Sequence, residues 1–288
     1  MKVAHRPEEL GADECVAAVG SFDGVHRGHR RVLAAARGAG GPVTAVTFWP
    51  HPRLVLGNRV ELLSTLERRL ELLEDAGVDQ ALVVEFTPAL AAREPHEFAE
   101  SILRRIGAKV VVVGEDFRFG RAAAGDPALL EQLGFDVRVV PTLEGVSSTE
   151  IRGRLRDGDV VGAARLLGRP PELEGTVVLG DQRGGTLGYP TANLSVPTEL
   201  LVPAYGIYAG SALGHRAAIS IGVNPHYGGD ERRIEPHLLD FEGDLYGRRL
   251  VVELWRRLRD ERAFASEDEL VAQINRDVEE TRGAERPA

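Results

Sequence analysis

Apolar and polar positions follow two different rhythms along this chain. In the first half, near-continuous apolar runs at 15–19, 43–48, 80–84, 109–113 and 136–140 alternate with stretches whose apolar residues recur every three or four positions. Unbroken runs suit strands buried on both faces, and the longer spacing suits helices with one buried face. Residues 30–36 read as a helix directly after the first run. Ser64-Thr65-Leu66-Glu67 is a capping box, after which Leu66, Leu70 and Leu73 form one helix face and Gly77 ends it. Phe98, Ile102 and Ile106 repeat the pattern before Gly107. Such alternation predicts an α/β domain with a parallel sheet. Past a short helix at 159–167, Gly168-Arg169-Pro170-Pro171 reads as a linker and the texture changes. Short β-type runs at 175–179, 206–210, 217–222, 233–241 and 248–255, parted by glycine turns, predict a small antiparallel barrel. Ser266-Glu267-Asp268-Glu269 then caps a closing helix with Leu270, Val271, Ile274 and Val278 on its apolar face. The expected domains are 1–169 and 170–288.

Composition narrows the class. A length of 288 residues with 43% hydrophobic content suits two globular domains. No apolar run approaches the roughly 18 residues of a membrane span, and the first residues lack an apolar signal core, so a cytoplasmic protein without a membrane partner is expected. The single cysteine, Cys15, lies in an apolar run and reads as a buried small side chain in a reducing compartment. A net charge of −9 argues against nucleic acid as a partner. Small-molecule substrates remain, with the protein a monomer or a transient homo-oligomer.

The candidate chemistry begins at Gly20-Ser21-Phe22-Asp23-Gly24-Val25-His26-Arg27-Gly28-His29. A strand, a glycine-rich turn and a helix start offer free N–H groups and a positive dipole end to a phosphate, with Gly20, Phe22, Asp23 and Gly24 in the turn. His26 and His29, three residues apart, share one face of a first helical turn. Metal ligation, acid–base work and stabilisation of a phosphoryl transition state all remain open for the pair, and the last fits best because neither a further ligand nor a nucleophile partner is near in sequence. No Gly-x-x-x-x-Gly-Lys-[Ser/Thr] loop is present. Ligands of parallel sheets bind at the carboxyl ends of strands. Other unusual segments fall there too: Trp49-Pro50-His51-Pro52, the loop 114–121 with Asp116 and Arg121, and Ser147-Ser148-Thr149-Glu150-Ile151-Arg152.

In the second half, the glycine-rich loop 180–188, with Arg183, Gly184 and Gly188, is suited to folding over phosphates. Tyr189-Pro190-Thr191-Ala192-Asn193 places Thr191 and Asn193 on one face of an extended chain, as hard oxygen ligands suited to Mg²⁺. Glu235 stands in a β run with His237 on its face; alone it reads as a strand surface residue, and in a phosphoryl-transfer site it is a candidate base.

His26-Arg27-Gly28-His29 resembles the His-x-Gly-His signature of the nucleotidyltransferase superfamily, and Ser147–Arg152 resembles its Ser-Ser-Thr-x-x-Arg motif. With Phe48-Trp49-Pro50-His51-Pro52, Gly114-Glu115-Asp116-Phe117-Arg118-Phe119-Gly120 and Gly188-Tyr189-Pro190-Thr191-Ala192-Asn193-Leu194, the chain is similar to the bacterial bifunctional riboflavin kinase/FAD synthetase family. The resemblance implies an α/β parallel-sheet nucleotidyltransferase (Rossmann-like) domain followed by a small antiparallel β-barrel riboflavin kinase domain with a C-terminal helix. It implies ATP, riboflavin, FMN and FAD as substrates or products, with Mg²⁺ held through Thr191 and Asn193. It further implies Glu235 as the base for the ribityl 5′-hydroxyl and His26 and His29 as catalytic residues of adenylyl transfer. Gly20, Phe22, Asp23, Gly24, Asp116, Arg121, Ser147, Ser148, Thr149, Arg152, Arg183, Gly184 and Gly188 are then expected on nucleotide phosphates, and Pro50, His51 and Tyr189 on flavin. Three positions depart from the family pattern: Ala123 and Gly185 where basic residues are usual, and His226 where a threonine is usual. Altered kinetics are expected from these. Two alternatives stand beside the bifunctional reading, namely one fully working module, the kinase, and a non-catalytic flavin sensor.

Overall fold

Strand β2 (Cys15–Val19) is buried at every position because both of its faces are covered. Cys15, Ala17 and Val19 point into one apolar cluster, while Val16 and Ala18 point into the other. Around it run β1 (Lys2–Ala4), β3 (Val43–Trp49), β4 (Gln80–Glu85), β5 (Ala108–Gly114) and β6 (Asp136–Val140), all parallel, in the order β1-β4-β3-β2-β5-β6. The expected parallel sheet is therefore present, with β1 added at its edge. The computed structural model describes residues 1–11, 13–180, 187–223 and 232–287.

Helix α1 (Arg27–Arg37) follows β2 with His26 as its N-cap, so it begins before the expected residue 30. Helix α2 (Leu66–Asp75) has Thr65 as its N-cap, the hydroxyl accepting from the Arg68 N–H at 3.0 Å. Its fully buried residues are Arg69, Leu72 and Leu73. The Leu66–Leu70–Leu73 face is therefore rotated from the observed one, because a buried arginine takes a position in the apolar stripe. The stretch around Phe98, Ile102 and Ile106 is helical, with a π-helical turn over Ala99–Arg104. That wider turn suits apolar residues spaced by four.

The remaining strands form an antiparallel sheet: β7 (Glu172–Val178), β8 (Asn193–Ser195), β9 (Gly206–Ala212), β10 (His215–Val223), β11 (Arg232–Leu238) and β12 (Arg249–Arg259), in the order β11-β10-β9-β12-β7-β8. The Ala192 N–H donates to the Pro236 carbonyl at 3.0 Å, linking the approach to β8 with the far edge strand β11 and closing the sheet into a barrel. Its interior holds Tyr208, Ala217, Ile219, Ile221, Ile234 and Val252. Gly210 is required where strands meet, since a Cβ there would lie 1.8 Å from the Glu253 carbonyl oxygen. Helices α3 (Ser148–Arg156) and α4 (Val160–Leu167) precede the barrel, and α5 (Glu267–Gly283) follows it.

By contacts the chain divides into two units, Met1–Val60 with Thr65–Ser147, and Glu61–Ser64 with Ser148–Ala288. The short segment Glu61–Ser64 belongs to the second. There the Leu62 N–H donates to Glu199 O at 2.7 Å, its carbonyl accepts from the Leu201 N–H at 2.8 Å, and its side chain is wholly buried.

Candidate active sites

In the first unit the turn after β2 is bent hard. Phe22 and Val25 adopt positive φ of 48° and 38°, and Gly24 sits at 76°. A left-handed conformation is costly for a β-branched residue and persists only where packing fixes it. Phe22 and Val25 are both buried in the cluster beneath α1. The Val25 N–H closes onto Phe22 O at 3.1 Å, the Gly20 N–H donates to Val46 O at 3.1 Å, and the Thr47 hydroxyl donates to Ser21 O at 3.0 Å.

This turn delivers His26 to the helix start. Its Nδ1 accepts from the His29 N–H at 3.3 Å, which leaves the imidazole proton on Nε2. The His26 and His29 rings stack at 3.6 Å, and a Cβ on Gly28 would come within 3.1 Å of the His26 ring. Phe22 packs edge-on to His29 at 5.3 Å. Burial, then the neighbouring His26 and Arg69, push the His29 imidazole well below its ordinary 6.5. It is therefore a neutral ring at neutral pH, able to donate one hydrogen bond rather than a full charge. Gly20, Phe22, Asp23, Gly24, His26 and His29 thus belong to one local structure.

The apolar periodicity of the sequence does not single out Arg69. It is fully buried on α2, with Nη1 donating to Phe48 O at 3.2 Å, Nη2 3.7 Å from Asp23 Oδ1, and the guanidinium 5.5 Å from the Trp49 ring centre. Burial lowers its pKa, and Asp23 offsets part of that. The available signal was an arginine three residues after Leu66 and three before Leu72, inside the helix's apolar stripe.

The other expected residues of this unit lie in separate loops. Buried His51 caps the short helix Pro52–Val55, its Nδ1 accepting from the Arg53 N–H at 3.2 Å, and Pro50 beside it is exposed. Asp116 is exposed after β5. Arg121 is exposed and paired with Glu94 at 2.6 Å. Ala123, like Ala122 before it, has a positive φ. Ser147 is the last residue of the unit, while Ser148, Thr149 and Arg152 stand on α3 in the second. Arg152 is buried, and its Nε donates to Glu61 O at 2.6 Å.

In the barrel, β11 alternates: Ile234, Pro236 and Leu238 face inward, while Arg233, Glu235 and His237 lie on the other face. That face lines a cavity of about 360 Å³ shared with Tyr189, Thr191, Ser220 and the helix residues Leu270, Ile274 and Val278. The apolar face of α5 therefore fronts a cavity, which Asp277 also lines, and the buried residues of the helix are Gln273, Asp277, Val278 and Thr281. Asp277 receives Arg259 through both carboxylate oxygens, at 3.0 and 2.8 Å, and Gln273 Nε2 donates to it at 2.8 Å. A second cavity, of about 150 Å³, is lined by Thr191, Phe241, Asp244 and Tyr246 among others. Thr191 lines both.

Residues flanking Thr191 are anchored by side-chain hydrogen bonds. His237 Nδ1 donates to Pro190 O at 2.8 Å, and the Tyr189 hydroxyl donates to Asn275 Oδ1 on α5 at 2.6 Å. Asn193 opens β8, and Gly180 lies against it so closely that a Cβ there would fall 2.0 Å from its amide nitrogen. Thr191 and Asn193 supply neutral oxygens, and among the described residues no cluster of three His, Cys, Asp or Glu could hold a metal alone. Such oxygens are of the kind that would suit a Mg²⁺ completed by bound phosphates, although of the two residues only Thr191 lines the cavities described above. Gly188 has a φ of 87°, and a Cβ there would meet no atom of the described residues within 4 Å. Arg183 and Gly184, like Gly185 and His226, lie outside the described residues.

A strained histidine turn on a parallel sheet, followed by a barrel with a carboxylate facing its cavity, defines a two-unit chain of nucleotidyltransferase and kinase type. Residues 9–152 match the family model described as FAD synthetase, and residues 167–284 match the model described as riboflavin kinase. A bifunctional riboflavin kinase/FMN adenylyltransferase of Escherichia coli (strain K12) is 38% identical, over 95% of this chain and 93% of the relative. The protein of that name from Bacillus subtilis (strain 168) is 33% identical, over 97% of each chain. A crystal structure described as a macrolide-efflux protein from Streptococcus pneumoniae superposes with a TM-score of 0.87 and 32% identity, covering 97% of this chain and 98% of that one. This chain belongs to the bifunctional riboflavin kinase/FMN adenylyltransferase family. No helix among the described residues is long and apolar enough to cross a membrane.

Proposed function

We propose that this protein makes FAD from riboflavin in two ATP-dependent steps, with residues 170–288 phosphorylating riboflavin and residues 1–169 adenylylating the FMN produced. The observation that carries the kinase half is Thr191, which lines both barrel cavities. The larger, with its apolar helix wall, suits the flavin ring, and the smaller opens beside the loop at 244–246 and suits the nucleotide. Thr191 then stands where acceptor and donor meet. Glu235 accepts the proton of the ribityl 5′-hydroxyl as its oxygen attacks the γ-phosphorus and the bond to ADP breaks. Tyr189 borders the flavin. Arg183, Gly184 and Gly188 belong to the loop assigned to the nucleotide phosphates. Thr191 and Asn193 would hold Mg²⁺ together with phosphate oxygens, and the ion would spread the charge developing on the transferring group.

In the first unit an FMN phosphate oxygen attacks the α-phosphorus of ATP, and the bond to the β-phosphate breaks to release pyrophosphate. That nucleophile is already anionic, so the site needs positioning and hydrogen-bond donors rather than a strong base. His26 and neutral His29 serve as donors, and Gly20, Phe22, Asp23 and Gly24 shape the turn around the nucleotide. Pro50 and His51 are assigned to the flavin. Asp116, Arg121, Ser147, Ser148, Thr149 and Arg152 are assigned to nucleotide and pyrophosphate. We place the protein in the cytoplasm, as a monomer or transient homo-oligomer without a nucleic-acid partner.

Incubation with riboflavin, ATP and Mg²⁺ followed by flavin separation tests this reading. FMN and then FAD are expected. Glu235→Gln is expected to lower FMN formation by about 10²–10⁴-fold while still converting supplied FMN to FAD. FMN without FAD would leave only the kinase reading, and neither product would leave a flavin-binding protein.

A further inference from the structure

Burying a guanidinium is expensive, and burying one with unmatched donors is more so. Arg69 does both: it is fully buried, and its Nε and Nη2 have no hydrogen-bond partner among the described residues. An apolar side chain would serve the helix packing of Leu72 and Leu73 better, so the charge answers to something else. Its surroundings are specific. One nitrogen holds the carbonyl at the end of β3, where the Trp49–Pro52 segment begins, and the indole of Trp49 lies over the guanidinium. Another nitrogen faces Asp23, itself 1% exposed, in the middle of the strained turn.

We infer that Arg69 is a positioning residue for adenylyl transfer, bridging Asp23 of the histidine turn to the root of the Trp49–Pro52 loop so that both keep one spacing. The inference rests on the proposed adenylyltransferase activity of this unit. It follows from what each end carries: the turn presents His26 and His29, and the loop carries Pro50 and His51. In a reaction governed by placement of two substrates, drift between these segments lowers turnover rather than ground-state affinity. A planar fork spans two acceptors in a way an ammonium cannot.

The test measures FMN and FAD formation separately on full-length protein, with FMN formation reporting that the chain is folded. Arg69→Met is expected to lower kcat for FAD formation by about 10²-fold with KM for ATP changed less than about threefold. Arg69→Lys is expected to recover about tenfold of that loss. Asp23→Asn approaches the bridge from its other end and is expected to cost kcat similarly, with the double variant no worse than the poorer single one. A folded Arg69→Met protein with unchanged kcat overturns the inference, as does a loss confined to KM. If Arg69→Met also loses FMN formation, the Asp23→Asn and Arg69→Lys results decide in the same way. A wild-type protein that makes no FAD would refute the proposed activity instead, a result distinct from any of these.

Discussion

His29 is kept neutral by burial, by His26 and by Arg69, and that has a thermodynamic signature. In the unfolded chain its pKa is about 6.5. As pH falls through that value the unfolded state takes up a proton that the folded state refuses, so stability drops. The drop continues until the depressed folded value is reached, and above about 6.5 the residue contributes nothing to the slope. Comparing thermal midpoints at two pH values, one on each side of that value, is expected to show a fall in the wild type that is smaller in His29→Gln. An equal fall in both would place the titration elsewhere. The pair His26 and His29 was legible because its spacing and glycines are visible in one segment. Arg69 was not, because its partners Asp23 and Phe48 are distant in sequence and meet it only through the sheet.

At the scale of elements, periodicity identified strands well and misread what faces them. The β2 to β5 runs were visible because burial on both faces leaves an unbroken apolar stretch, whereas β6, expected to be buried in the same way, is an edge strand with no fully buried residue. Strand β1, three residues long with only Ala4 buried, carries too little pattern to be seen. Helix α5 shows the subtler failure. Its apolar stripe fronts the cavity, with Asp277 also on the wall, and three of its buried residues, Gln273, Asp277 and Thr281, are polar. Charge and hydrogen bonding thus hold the wall of the site, leaving its apolar surface open to a ligand. Asp277→Ala would strand Arg259, which is 20% exposed at its side chain. We expect a loss of roughly 3 kcal/mol in barrel stability, read by chemical denaturation, and a raised riboflavin KM. An unchanged KM would mean the helix is held without this pair.

At the scale of the whole molecule, the linker-like composition at 168–171 and the division made by packing fall in different places. The helices α3 and α4 pack with the barrel, although the family model for FAD synthetase runs to residue 152. No local pattern marks this, because Glu61–Ser64 reads as the approach to α2. Its neighbours in the barrel unit are 90 or more residues away: Arg152 Nε on the Glu61 carbonyl, and Arg156 on the Glu61 carboxylate at 2.8 Å. The Arg156 pair is exposed and contributes little, whereas the two backbone bonds of Leu62 with a wholly buried side chain contribute more.

That four-residue loan makes the polypeptide behave like a clasp. A single protease nick between Ser147 and Ser148 would yield an amino-terminal fragment that still donates Glu61–Ser64 to the other unit, as a complementing strand donates itself to a foreign sheet. The nicked protein is expected to elute as one species in native size exclusion and to part into two only in denaturant. Immediate separation without denaturant would show that the loan is too weak to hold. A carboxyl-terminal fragment produced without residues 61–64 would present an empty slot beside Leu200 and Leu201, open to whichever apolar strand it meets first.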